Sequence, residues 1–237
     1  MKKHIPNTIT LLNLLAGFFA VVAALTGDPL LAGWLVVLAS VFDFFDGFMA
    51  RLLKAYSELG KQLDSLADLV SFGVAPAAVL YSLISRGGAG EDLSLLYLFA
   101  PALVVGASAL RLARFNIDPS QESSFRGLPT PASGLFFATL PHLLPHLPPA
   151  LHDPRLLSLT ALLFALLMTS RIPLFSLKIK PGTSSFREML PPILLLAIAL
   201  PLLILFNLRA IPGIIILYIF MALVANLFNA NTKKTES

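Results

Sequence analysis

Asp43-Phe44-Phe45-Asp46-Gly47-Phe48-Met49-Ala50-Arg51, and eight residues further on Gly60-Lys61-Gln62-Leu63-Asp64-Ser65-Leu66-Ala67-Asp68, decide how the rest of the chain is read. The four aspartates stand inside or at the ends of apolar segments. An ionised carboxylate in hydrocarbon costs on the order of 3 kcal/mol or more, so such a side chain faces a polar cavity and works there. At 100° per helical residue, Asp46 lies about 60° to one side of Asp43, Gly47 about 40° to the other, and Ala50 about 20° away. Two carboxylates and two very small residues share one stripe. On the following segment Gly60, Asp64 and Asp68 recur at i, i+4 and i+8, within roughly 80°. Antiparallel packing of the two helices about the polar turn after Arg51 gathers all four carboxylates near one end.

The surrounding composition sets the class. Of 237 residues, 57% are hydrophobic and 13% charged, against about 45–50% and about 25% in soluble domains. The apolar residues come in blocks near the roughly 20 residues that a helix needs to cross a bilayer. This excludes an ordinary soluble domain and predicts an all-α, polytopic membrane bundle. Eight segments are expected, approximately 8–26, 30–50, 63–85, 93–115, 132–151, 156–170, 189–206 and 212–230. The fifth is expected to kink or end early at Pro141, Pro145, Pro148 and Pro149. The initial Met1-Lys2-Lys3-His4 and its apolar run read as a first membrane helix. The run is long enough to span, and no clear small-residue cleavage site follows.

Charge supports the same topology. Eight crossings place 14 of the 17 basic residues on the side of both termini and leave Arg86, Arg155 and Arg209 on the other. By the positive-inside bias, both termini face the cytoplasm of a cell membrane. The net charge of +4 forms no basic stripe with interleaved aromatics, so no nucleic-acid partner is expected. The chain has no cysteine, which removes disulfides, thiolate ligands and a cysteine nucleophile. His142 and His146 are spaced i, i+4 but lie among prolines toward the opposite side. They read as structural, as do Trp34 and the Phe- and Leu-rich surfaces.

Converging carboxylates require a cation. Hard oxygen ligands suit Mg²⁺ or Mn²⁺, with Ca²⁺ as a further occupant. Four aspartates can hold two ions in the arrangement that serves attacking and leaving oxygens at phosphorus. Gly47, Ala50 and Gly60 open the backbone to a polyphosphate, and Arg51 can offer a bidentate fork. A cation-transport path and helix-terminal snorkelling are the alternatives that the residues themselves leave open.

The string Asp43-x2-Asp46-Gly47-x2-Ala50-Arg51-x8-Gly60-x3-Asp64-x3-Asp68 resembles the complete signature of the CDP-alcohol phosphotransferase family, with eight fixed residues over 26 positions. The resemblance implies a two-metal site in a homodimeric helical bundle, open to the cytoplasm and laterally to lipid. Asp43, Asp46 and Asp64 would act mainly as metal ligands. Asp68 would complete the coordination and serve as general base, so that Asp64 and Asp68 form the catalytic end. Gly47, Ala50, Arg51 and Gly60 would line a CDP-lipid pocket. Pro6-Asn7-Thr8-Ile9-Thr10 is similar to the start of the family's first helix, with Asn7 and Thr10 facing the nucleotide.

The acceptor must be read elsewhere. Arg111-Leu112-Ala113-Arg114-Phe115-Asn116, Phe125-Arg126-Gly127-Leu128-Pro129-Thr130-Pro131-Ala132 and Leu167-Met168-Thr169-Ser170-Arg171-Ile172-Pro173 resemble the family's serine-accepting membrane branch. That implies CDP-diacylglycerol and L-serine as partners, with Arg111, Arg114, Asn116 and Arg126 as candidates for serine. A serine carboxylate calls for arginine, and its ammonium for acceptors. Glycerol phosphate, inositol phosphate or choline as acceptor, and an ether-lipid donor, stay open within the same chemistry. With no cysteine and no clear nucleophile–base pair, direct attack without a covalent intermediate is expected. The chain reads as one catalytic domain, 1–237, with the signature over 43–68 and two additional helices over about 189–230.

Overall fold

The computed structural model describes residues 4–87, 95–118, 127–172 and 186–235. Helices α1 (His4–Thr26) and α2 (Pro29–Leu52) form the first hairpin, and α3 (Glu58–Asp68) follows after a short turn. It passes through a π-helical stretch, Leu69–Val74, into α4 (Ala75–Gly87) without a break in the rod. Then come α5 (Leu95–Ile117), α6 (Thr130–Leu143), α7 (Pro154–Thr169), α8 (Phe186–Phe206) and α9 (Ala210–Thr235).

No strand occurs among the described residues, and the eight expected segments correspond to eight helical rods. By length and apolar composition, His4–Thr26, Pro29–Leu52, Glu58–Arg86 and Leu190–Ala225 are each sufficient to cross a membrane. Asn207, with φ of 51°, breaks the last stretch, and α8 packs back on α9. The chain is an integral membrane protein built as an α-helical bundle.

The polarity of the bundle is inverted in size as well as in chemistry. Phe18, Phe19, Leu25, Phe44 and Phe45 point outward, whereas Ala16, Ala20, Ala24, Ala32 and Ala39 are buried. Without a hydrophobic drive between helices in lipid, small residues allow close approach and dispersion contacts hold the pair. Gly17 shows how close: a Cβ there would fall on the Ser71 hydroxyl and 2.8 Å from the Ser71 Cα. Ser71 lies in the π-helical stretch, and its hydroxyl donates to the Asn13 carbonyl at 3.0 Å. The signature helices are thereby tied to α1 below the aspartates.

Local signals set the ends. Asp28 accepts from the Leu31 amide at 2.9 Å, with Pro29 at the first helical position. Ser57 caps α3 by accepting from the Gly60 amide at 3.0 Å. These are favourable N-terminal arrangements. α6 ends at Leu143, after which the proline-rich stretch forms two 3₁₀ turns, Leu144–His146 and Pro149–His152. The early end expected there is found.

Candidate active site

α2 and α3 both pack on α1, and this brings their aspartate stripes toward each other. One carboxylate oxygen each from Asp43, Asp64 and Asp68 lies within 4.8 Å of the others. The Asp43 and Asp68 carboxyl groups are within hydrogen-bonding reach of each other. Asp46 is the exception to a four-fold gathering. It stands one turn nearer the end of α2, buried to 5% exposure, beside Thr10 of α1. The helical stripe is wide enough to point its two ends into adjoining spaces, so three carboxylates meet and the fourth faces the neighbouring cavity.

That cavity measures about 720 Å³ and lies between the start of α1, the end of α2 and the start of α3. Asn7, Thr10, Asp46, Gly47, Ala50, Gly60 and Asp64 line it, together with Tyr56, Ser57, Glu58 and Lys61. A Cβ on Gly47 would meet nothing within 4 Å, so the glycine leaves free space against the backbone. Five of the six residues expected at a CDP-lipid share this one cavity. Arg51 does not line it; it is exposed in the last turn of α2, where the helix rotates its side chain away from the stripe.

The aspartates fit a metal. Asp46 Oδ2, Asp64 Oδ1 and Asp68 Oδ1 are sealed from solvent and have no hydrogen-bond partner among the described residues. A buried acceptor without a donor is costly, and an anionic one more so. Hard carboxylate oxygens converging in this way suit Mg²⁺, Mn²⁺ or Ca²⁺.

A second cavity, about 580 Å³, opens between the ends of α5 and α7. Arg111, Arg114 and Ile117 line it from α5 and Asp118 from just after that helix, with Met168, Thr169, Ser170 and Arg171 on the other side. Arg111 is buried; it donates to the Thr130 hydroxyl at 3.2 Å, while its Nε has no partner among the described residues. Asp68 and Tyr218 of α9 are within electrostatic reach of it, so Arg111 joins this cavity to the aspartates. Arg114 donates to the Thr169 carbonyl at 3.2 Å.

The far wall depends on Gly127, whose φ of 74° favours glycine and whose amide donates to Ile172 at 2.9 Å. A Cβ there would fall 2.5 Å from the Met168 carbonyl oxygen. This close approach holds Ser170 and Arg171 at the cavity.

Of the residues expected to meet serine, Arg111 and Arg114 share this cavity and Arg126 lies outside the described residues. Asn116 turns to α3 instead: its side-chain amide donates to Ser65 Oγ at 2.8 Å. Arg171 was missed as a candidate. Its sequence signal was its place in the Leu167–Pro173 string that resembles the serine-accepting branch. The two histidines do not share one helix: His142 is in α6 and meets the Leu30 carbonyl at 3.1 Å, and His146 is exposed in a separate 3₁₀ turn.

Two apolar helices thus present carboxylates to a polar cavity of about 720 Å³, with a second cavity lined by arginines at the same end of the bundle. Residues 3–175 match the family described as CDP-alcohol phosphatidyltransferase, and the chain belongs to that family. The match ends before α8. The α8–α9 hairpin lies beyond the matched residues, and α9 packs on α6 and carries Tyr218 toward Arg111.

Among curated relatives, the CDP-diacylglycerol–serine O-phosphatidyltransferase of Bacillus subtilis is 36% identical over 138 residues, covering 58% of this chain and 75% of that protein. The protein of the same name from Mycobacterium leprae is 40% identical over 139 residues, covering 55% of this chain and 44% of its own. That from Saccharomyces cerevisiae is 40% identical over 146 residues, covering 55% and 50%. The chain thus spans about half the length of the mycobacterial and yeast relatives it matches.

Proposed function

We propose that the chain transfers the phosphatidyl group of CDP-diacylglycerol to the hydroxyl of L-serine, giving phosphatidylserine and CMP. The observation that carries this reading is the meeting of Asp43, Asp64 and Asp68 beside a cavity lined by Asp46, Gly47 and Gly60. Family membership and relatives named for the serine reaction support the choice of donor and acceptor.

In this reading the CDP moiety occupies the 720 Å³ cavity, with its pyrophosphate against Gly47 and Gly60 and its diacylglycerol chains in the surrounding lipid. Asp43, Asp46, Asp64 and Asp68 hold divalent ions, Mg²⁺ or Mn²⁺. Ions bound there would neutralise the pyrophosphate and the charge developing on CMP. The serine carboxylate sits among Arg111, Arg114 and Arg171, because planar guanidinium forks match carboxylates. Asp68, the aspartate within electrostatic reach of Arg111, takes the hydroxyl proton as the serine oxygen attacks the lipid-side phosphorus. The new P–O bond forms as the bond to CMP breaks, with inversion at phosphorus and no covalent enzyme intermediate. Arg51, exposed at the end of α2, remains a candidate for the pyrophosphate, and Arg126 remains a candidate for serine on the family resemblance alone. The protein works as a homodimer with both termini and the site facing the cytoplasm.

The test is CMP release by the purified protein from CDP-diacylglycerol with L-serine, with and without Mn²⁺, beside panels with glycerol phosphate, inositol phosphate and choline. CMP release with another acceptor and not with serine would reassign the acceptor. Absence of CMP under every condition would remove the reaction. Net retention in a chiral-phosphate experiment would overturn direct attack.

A further inference from the structure

We infer that Asn116 is a positioning residue: through Ser65 and Lys61 it clamps the rotation of α3, and with it Asp64 and Asp68, against α5. The inference rests on the metal-site reading above. Three contacts carry it. The Asn116 side-chain amide donates to Ser65 Oγ at 2.8 Å. The Lys61 ammonium donates to the Asn116 carbonyl at 3.2 Å. The Ser65 hydroxyl in turn donates to the Lys61 carbonyl at 3.3 Å, which closes the loop. One residue of α5 therefore holds two positions of α3 that lie one turn apart.

The reason α3 needs such a clamp is its composition. Over Glu58–Asp68 only Ala67 is buried, while Leu59 and Leu66 are 70% and 60% exposed. The apolar packing that sets the rotation of this rod lies beyond Asp68, in the π-helical stretch and α4, so the exposed start of α3 relies on α1 and on polar contacts. Ser65 and Lys61 flank the aspartate stripe, with Asp68 about 60° and Asp64 about 100° from Ser65 around the axis. A carboxylate stands roughly 6 Å from a helix axis, so a rotation of about 20° moves it by about 2 Å. Metal–ligand distances tolerate about 0.2 Å. An inter-helix hydrogen bond that trims the rotation of this first part of α3 by a few degrees therefore bears on how closely the carboxylates coincide.

The experiment compares Asn116→Ala, Ser65→Ala, the double variant and Ser65→Thr in the full-length protein. Mn²⁺ binding is read by electron paramagnetic resonance, and serine KM from CMP release. Each alanine variant should weaken Mn²⁺ binding by about five- to tenfold, the worth of one net hydrogen bond, with serine KM moved by less than about twofold. The double variant should be no weaker than the worse single one, because both remove the same link, and Ser65→Thr should restore parental binding. If Asn116→Ala unfolds the protein, Ser65→Ala with its threonine rescue carries the same comparison. A rise in serine KM on Asn116→Ala with Ser65→Ala silent would make Asn116 a serine ligand and overturn the clamp. Multiplying effects in the double variant would overturn it too. A parent protein that binds Mn²⁺ but makes no CMP with serine sinks the proposed acceptor, and the Mn²⁺ comparison still decides the clamp. A parent that binds no Mn²⁺ removes both.

Discussion

The two cavities at the aspartate end are built from opposite materials. The one between α1, α2 and α3 is lined by small residues and carboxylates, all within residues 6–64. The one between α5 and α7 is lined by three arginines contributed by positions as far apart as 111 and 171. The first is a product of helical period: residues three and four apart on two consecutive helices fall on facing stripes. The second exists only because the segment at Gly127 and Leu128 hydrogen-bonds to the end of α7 and brings Ser170 and Arg171 beside α5. A cavity made within one sequence block announces itself, and one assembled across helices does not.

If the acidic cavity does the chemistry and the basic one holds the acceptor, substitutions in the two should fail differently. The largest effect belongs to Asp68→Asn. Its turnover should fall by about 10²- to 10⁴-fold, the range of a general base, while a CDP-lipid still binds in a calorimetric titration. Near-normal turnover would remove the base assignment.

Next comes Arg171→Ala, which should raise the Michaelis constant for serine by about tenfold or more, the scale of a lost charge-assisted hydrogen bond. The constant for CDP-diacylglycerol should stay within about twofold. Equal changes in both would mean that the two cavities are not separate subsites.

Glycines sharpen the contrast inside the acidic half. Gly17→Ala presses on the Ser71 backbone at 2.8 Å and should cost about 1–3 kcal/mol of stability, read as a lower melting temperature. Gly47→Ala meets nothing within 4 Å. It should leave melting unchanged but raise the CDP-lipid constant about fivefold, because its methyl group enters the cavity. A destabilised Gly47→Ala protein would show that the space is needed for packing.

The smallest expected change is for Tyr218→Phe. Tyr218 is buried on α9, beyond the family match, and faces Arg111. Loss of its hydroxyl should raise serine KM by roughly two- to threefold without altering Mn²⁺ dependence. A change in Mn²⁺ dependence instead would connect the added hairpin to the acidic cavity.

Much of the acidic half could be read in advance because its information is local. The i, i+3, i+4 and i+8 spacings place Asp43 and Asp46 on one stripe of α2, and Asp64 and Asp68 on one stripe of α3, whatever the rest of the bundle does. The finer placements could not be read. Arg51 follows the same stripe in sequence, yet the last turn of α2 carries its side chain out of the cavity. Asn116 sits beside two arginines in the chain, but rotation of α5 turns its amide to Ser65.

By itself, the order of residues determined an integral membrane helical bundle and the two small-and-acidic stripes, with carboxylates set among apolar residues. Each of these follows from the length of apolar runs, the period of the helix and the cost of a buried charge. The tertiary structure alone decided that Asp46 faces the nucleotide-sized cavity while three carboxylates meet, that Arg171 joins Arg111 and Arg114, and that Asn116 holds a helix. Those depend on the rotation and depth of each helix against its neighbours. Close packing of small side chains sets rotation and depth, and no single helix's sequence contains its partner's surface.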